Sequence, residues 1–145
     1  MAGILDIKLK MEDQARTAFA QAMANLNTEE EKLDELVFRK QDYENKGRML
    51  RSKKLDVFEL KENERAIENL KGQIEDQKER VKEAEELVEQ ARKKLNEAIQ
   101  ERKIHEKLKE NAFEEFKKEV NAAESKEIDE LVSYRFGLKA NQDDE

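Results

Sequence analysis

The chain holds a single histidine, His105, and Glu101 stands four residues before it. Positions four apart share a helix face, so an imidazole and a carboxylate could meet here for acid–base work or on a metal. A zinc site takes three or four protein ligands, and the chain has no Cys and no second His to complete one. A solvated or partner-facing His105 is the plainer reading. Carboxylates abound, but open helix faces provide no low-dielectric pocket to tune one for proton transfer. Gly3, Gly47, Gly72 and Gly137 stand alone, so there is no glycine-rich phosphate loop. No serine occupies the strand–turn–helix setting of a hydrolase nucleophile. The expectation is a protein with no catalytic set, no cofactor and no metal, which acts by binding other proteins.

The elements that carry these residues must be helices. Of 145 residues, 45% are charged, and the chain contains no Pro and only 4 Gly. Proline is the strongest helix breaker, and the dominant residues, Ala, Glu, Lys, Leu, Gln and Arg, are good helix formers. A net charge of -7 argues against nucleic acid as a partner, which calls for a basic footprint. No stretch is apolar enough to span a bilayer, so direct membrane insertion is not expected. The opening, Ile4-Leu5-Asp6-Ile7, has too short an apolar run for a signal peptide. A soluble, cytoplasmic protein is expected.

Periodicity separates helix from disorder. Phe19, Ala22, Leu26, Glu29, Leu33, Leu36, Lys40, Tyr43, Gly47 and Leu50 alternate steps of three and four. So do Ile67, Leu70, Ile74, Gln77, Val81, Ala84, Val88, Ala91, Leu95 and Ala98. A 3.5-residue repeat keeps one seam facing a partner helix in a left-handed coiled coil. The fold class read from this is all-α: a long antiparallel two-helix coiled coil, with the second helix extending beyond the first. The expected single domain, 1–145, has helix 1 at about 5–50, a turn at about 47–53, helix 2 at about 54–134 and a frayed tail at 137–145. Gly47 is the expected weak point of helix 1, and Ser52 the expected cap of helix 2. A turn near residue 52 places Tyr43 near Lys61, Leu33 near Leu70 and Leu26 near Lys78.

On that register helix 1 ends opposite about residue 100. Ile104, Leu108, Phe113, Phe116, Val120, Ala123, Ile128 and Leu131 then form an apolar stripe with no partner in the chain. Exposed stripes of this kind mark binding surfaces, and a weak homodimer burying the stripe is the alternative. Phe113 and Phe116 are the aromatic anchors, since aromatics dominate interface energies; Phe38 lies off the seam and is a second contact candidate. The turn is basic, with Lys46, Arg48, Arg51, Lys53 and Lys54, and solvation is its default reading.

Three runs carry a family resemblance. They are Glu106-Lys107-Leu108-Lys109-Glu110, then Phe113-Glu114-Glu115-Phe116, then Glu124-Ser125-Lys126-Glu127-Ile128-Asp129-Glu130-Leu131. With the opening Ile4-Leu5-Asp6-Ile7-Lys8 and Ile67-x-x-Leu70-x-x-x-Ile74, the chain resembles the FliJ family of flagellar export proteins. Arg39 and Ala66 depart from it at positions where relatives can carry aromatics. The resemblance implies a stalk-like coiled coil at the cytoplasmic face of the membrane, at the flagellar base. Its partners would be the hexameric flagellar export ATPase, the cytoplasmic domain of the export gate and flagellar export chaperones. It implies ATPase binding by Ile104, Leu108, Phe113, Phe116, Val120, Ile128 and Leu131. It implies gate binding by Leu36, Tyr43 and Leu70, although these also lie on the seam, where hairpin packing would account for them. The corresponding stalk of a virulence injectisome, and a generic coiled-coil chaperone or adaptor, are the rival readings.

Overall fold

A computed structural model describes residues 2–53 and 56–143. Helix α1 spans Ala2–Ser52, 51 residues, and helix α2 spans Val57–Asp143, 87 residues. They form an antiparallel two-helix coiled-coil hairpin, with no strand among the described residues. Helix α1 runs past both limits expected from sequence, and α2 starts later than expected but runs past its expected C-terminal limit. The stretch from Gly137 to Asp143, expected to fray, is helical. One glycine costs a helix only about 1 kcal/mol, and the Leu, Lys, Ala and Gln residues after Gly137 favour continuation.

The turn is set by Asp56. Its carboxylate Oδ1 accepts the Phe58 N–H at 3.0 Å, and its carbonyl accepts the Leu60 N–H at 3.1 Å. This is the geometry of a helix N-cap. Ser52 has a different role from the one expected: its hydroxyl donates to the Met49 carbonyl at 2.8 Å, within the last turn of α1. A serine oxygen can serve either helix, and here α2 starts only at Val57, with Asp56 in the capping position. The later turn shifts the register. Tyr43 meets Asn63, two residues beyond the expected Lys61, and Glu29 meets Gln77.

The molecule comprises two units, Leu9–Ile99 and Met1–Lys8 with Gln100–Glu145. In the first, every seam position expected on both helices is buried or half-buried, except Tyr43 at 38% exposure. The core is thin: Leu70, Ile74, Ala84 and Val88 are its buried apolar residues. Asn63 and Gln77 are buried among them, and each reaches across the hairpin to a main-chain carbonyl. Asn63 Nδ2 donates to Tyr43 O at 2.9 Å, and Gln77 Nε2 donates to Glu29 O at 2.9 Å and to the Glu29 carboxylate. Polar seam residues fix register at a cost in apolar burial.

Gly47 is part of this device and does not break α1. A Cβ there would stand 2.7 Å from Asn63 Oδ1, so the missing side chain is the space Asn63 needs to reach the Tyr43 carbonyl. That carbonyl lies one turn before Gly47 on the same helix.

In the second unit, Lys8 Nζ donates to Glu101 Oε2 at 2.8 Å, and Leu5 lines a hollow with Glu106, Lys109, Glu110 and Phe113. Helix α1 therefore reaches further along α2 than the residue-100 limit expected. From Glu106 to Leu138 every residue of α2 is exposed. No helix is long and apolar enough to cross a membrane.

Candidate partner-binding surfaces

Helix α2 positions every residue expected to bind the ATPase, and all of them are solvent-exposed. Exposure runs from 38% at Val120 to 63% at Leu131. They do not form one stripe. At about 100° per residue, Phe113, Phe116, Val120 and Leu131 fall on one face. Ile104 and Leu108 fall on roughly the opposite one, and Ile128 lies on a flank. The cause is the five-residue step from Leu108 to Phe113, which turns the helix by far more than a heptad step does. Past Gln100, the half-buried positions of α2 are Arg102 and His105. These lie on the same face as Phe113 and Phe116. The Phe113–Leu131 face thus continues the packing side of α2 beyond the end of α1, and Ile104 and Leu108 look outward.

That face is longer than sequence reasoning proposed. Tyr134 at 66% and Leu138 at 46% exposure extend it by steps of three and four after Leu131. The signal was present in the spacing, but the helix was expected to end near 134. Lys117 Nζ stands 4.9 Å from the Phe113 ring centre. This cation–π contact is worth about 0.5–1 kcal/mol at an exposed site, and it holds the ring beside a positive charge. On the hydrophilic side of α2, Glu75 pairs with Lys78 and Glu89 with Arg92, each at 3.7 Å.

The three expected gate contacts fall into different environments. Leu70 is 6% exposed and packs the hairpin core. Leu36 is half-buried. Tyr43 is accessible and lines a hollow with Lys46, Leu50, Glu59, Glu62, Asn63 and Ala66. Phe38, at 63% exposure, stands free on the outer face of α1.

The carboxylates that might have done chemistry serve as interhelical ties. Glu101 is held below the usual carboxylate range, first by its hydrogen bond from Lys8, then by the Lys8 charge, with a smaller contribution from His105. Glu29 is lowered chiefly by the hydrogen bond from Gln77, with the Lys32 charge adding to it against partial desolvation. Both shifts favour the ionised form. A general acid requires the reverse. Among the described residues no three His, Asp or Glu side chains converge to hold a metal.

The arrangement is that of a hairpin with polar register locks and an unpartnered apolar face on its longer helix. The chain matches no curated protein and no solved structure. The family model described as flagellar FliJ protein matches residues 1–141, which is nearly the whole sequence. The chain therefore belongs to the FliJ family, a component of the bacterial flagellar export apparatus.

Proposed function

We propose that this chain acts without catalysis as a stalk-like coiled coil that binds the hexameric flagellar export ATPase. It links the ATPase to the cytoplasmic domain of the export gate, works at the cytoplasmic face of the membrane, and interacts with export chaperones. The observation that carries the reading is the exposed face formed by Phe113, Phe116, Val120 and Leu131 on an otherwise hydrophilic helix. An apolar helix face of this kind is the usual form in which a helix lies in a partner's groove. Phe113 and Phe116 are its anchors, and Ile128 flanks them. Ile104 and Leu108 would need a contact on the other side of α2, as a helix enclosed by a ring would have. On the hairpin, Tyr43 is the accessible gate-side contact, Leu36 borders the seam, and Leu70 contributes through packing.

The test is the hydrolysis rate and hexamer fraction of the cognate export ATPase, with and without this chain. Stimulated hydrolysis and a larger hexamer fraction by light scattering are expected. Replacing Phe113 and Phe116 together by Ala should weaken ATPase binding by about tenfold or more and leave helicity unchanged. If the wild-type chain changes neither rate nor assembly, the stalk reading fails.

A further inference from the structure

The end of the hairpin reverses the charge of the rest of the chain. The protein carries a net charge of -7, yet from Lys46 to Lys53 the sequence contains no Asp or Glu. Arg48, Arg51 and Lys53 are exposed there. None of them makes an ion pair with any described residue, while cations further along the helices do, such as Arg39 with Glu35 and Lys71 with Glu68. Of the nearest acids, Asp56 is engaged in capping α2, which leaves Glu59 in the first turn of that helix.

A second observation is independent of charge. Met49, Val57 and Phe58 are exposed by 61%, 62% and 69%. The Asp56 cap fixes Val57 and Phe58 at the first positions of α2, before the seam begins at the half-buried Leu60. One exposed apolar residue is ordinary. Three of them flanking one turn, among three cations that pair with no described residue, are the combination that holds peripheral proteins on anionic bilayers. In such contacts apolar groups enter the headgroup boundary and the cations meet lipid phosphates.

We propose that the hairpin tip docks on an anionic lipid surface, with Phe58, Val57 and Met49 entering the interface and Arg48, Arg51 and Lys53 on the headgroups. A bilayer fits better than an acidic protein, because the exposed apolar side chains Met49, Val57 and Phe58 accompany the cations, and a flat interface takes both at once. The contact is superficial, since no helix can cross a membrane. It uses none of the residues assigned to ATPase binding, so either assignment can fail alone.

The experiment is co-sedimentation of the full chain with vesicles of phosphatidylcholine alone, and of phosphatidylcholine with about one-third phosphatidylglycerol. Binding to the anionic vesicles only, weakened by salt, is expected. Arg48→Glu with Arg51→Glu should reduce it by about thirtyfold or more, at roughly fivefold per lost cation contact at the surface. Phe58→Ser should reduce it several-fold, while Phe113→Ala leaves it unchanged. Circular dichroism checks folding, and Arg48→Gln with Arg51→Gln serves as the milder pair if the reversals unfold the chain. No binding to anionic vesicles, or binding indifferent to both Arg48/Arg51 and Phe58, overturns the proposal. So does a chain that ignores vesicles but loses binding to the purified export-gate domain in the tip variants, which would make the tip a protein contact.

Discussion

The hairpin from Leu9 to Ile99 and the stretch of α2 beyond Glu106 both carry apolar residues on one helix face, largely at steps of three and four. In the hairpin Leu70, Ile74 and Val88 are buried to 7% exposure or less, whereas Phe113, Phe116 and Leu131 are each more than half exposed. The difference is the presence of α1. Where a second helix lies alongside, the apolar positions become a core. Beyond Glu106 the apolar positions of α2 stay exposed. The larger side chains sit on the open face, and the closed seam is built from Ala84, Val88, Gln77 and Gly47 as well as Leu and Ile. Small seam residues bring helices close but bury little area per layer, so each remaining large residue in the hairpin matters more.

The contrast can be tested by substitution. Leu70→Ala removes one of the few buried large side chains and should destabilise the hairpin by about 2–5 kcal/mol. Phe113→Ala, at an exposed site where only the Lys117 contact is lost, should change stability by about 1 kcal/mol or less. Urea denaturation followed by circular dichroism compares the two directly, and equal losses would mean that the two regions do not differ as described.

A smaller effect is expected at Gly47. Gly47→Val places a branched side chain against Asn63 and should cost about 1–3 kcal/mol. Gly47→Ala is close to neutral: better helix propensity contributes about 1 kcal/mol, and displacing the Asn63 side chain forfeits a hydrogen bond of similar worth. Thermal denaturation of the two variants checks this, and an alanine clearly worse than the valine would contradict the close-approach account.

Acid gives the smallest effect. Glu29 and Glu101 both have their pKa lowered in the folded chain from an ordinary value of 4.5. A lowered folded-state pKa means that the stabilisation is present above that ordinary value and is lost as pH falls through the lower, folded one. Stability should therefore decline as pH drops below about 4.5. Glu29→Gln with Glu101→Gln should flatten the decline, as read from urea midpoints across that range.

Much of the hairpin was legible because a 3.5-residue repeat needs only local spacing to be seen. Phe19 through Leu50 and Ile67 through Ala98 mark the packed seams with Tyr43 as the accessible exception. Register was less legible. Ser52 and Asp56 are both good caps by type, and choosing Ser52 displaced the pairing by two residues. Gly47 misled for a related reason: the group that requires its empty space, Asn63, comes from the other helix and leaves no local trace. At the candidate surface, residue types were readable, but treating Ile104 to Leu131 as one stripe overlooked the rotation between Leu108 and Phe113. The outward placement of Met49, Val57 and Phe58 depends on where the turn closes, which the pattern alone did not locate.

Amide hydrogen exchange along the chain, alone and with the cognate export ATPase, separates a closed seam from an open docking face. Amides around Leu70–Val88 should already be protected in the free chain and change little. Those from Phe113 to Leu131 should exchange quickly when free and become protected when the ATPase is added. Protection confined to the hairpin on adding the ATPase, with residues 113–131 unchanged, would contradict this separation.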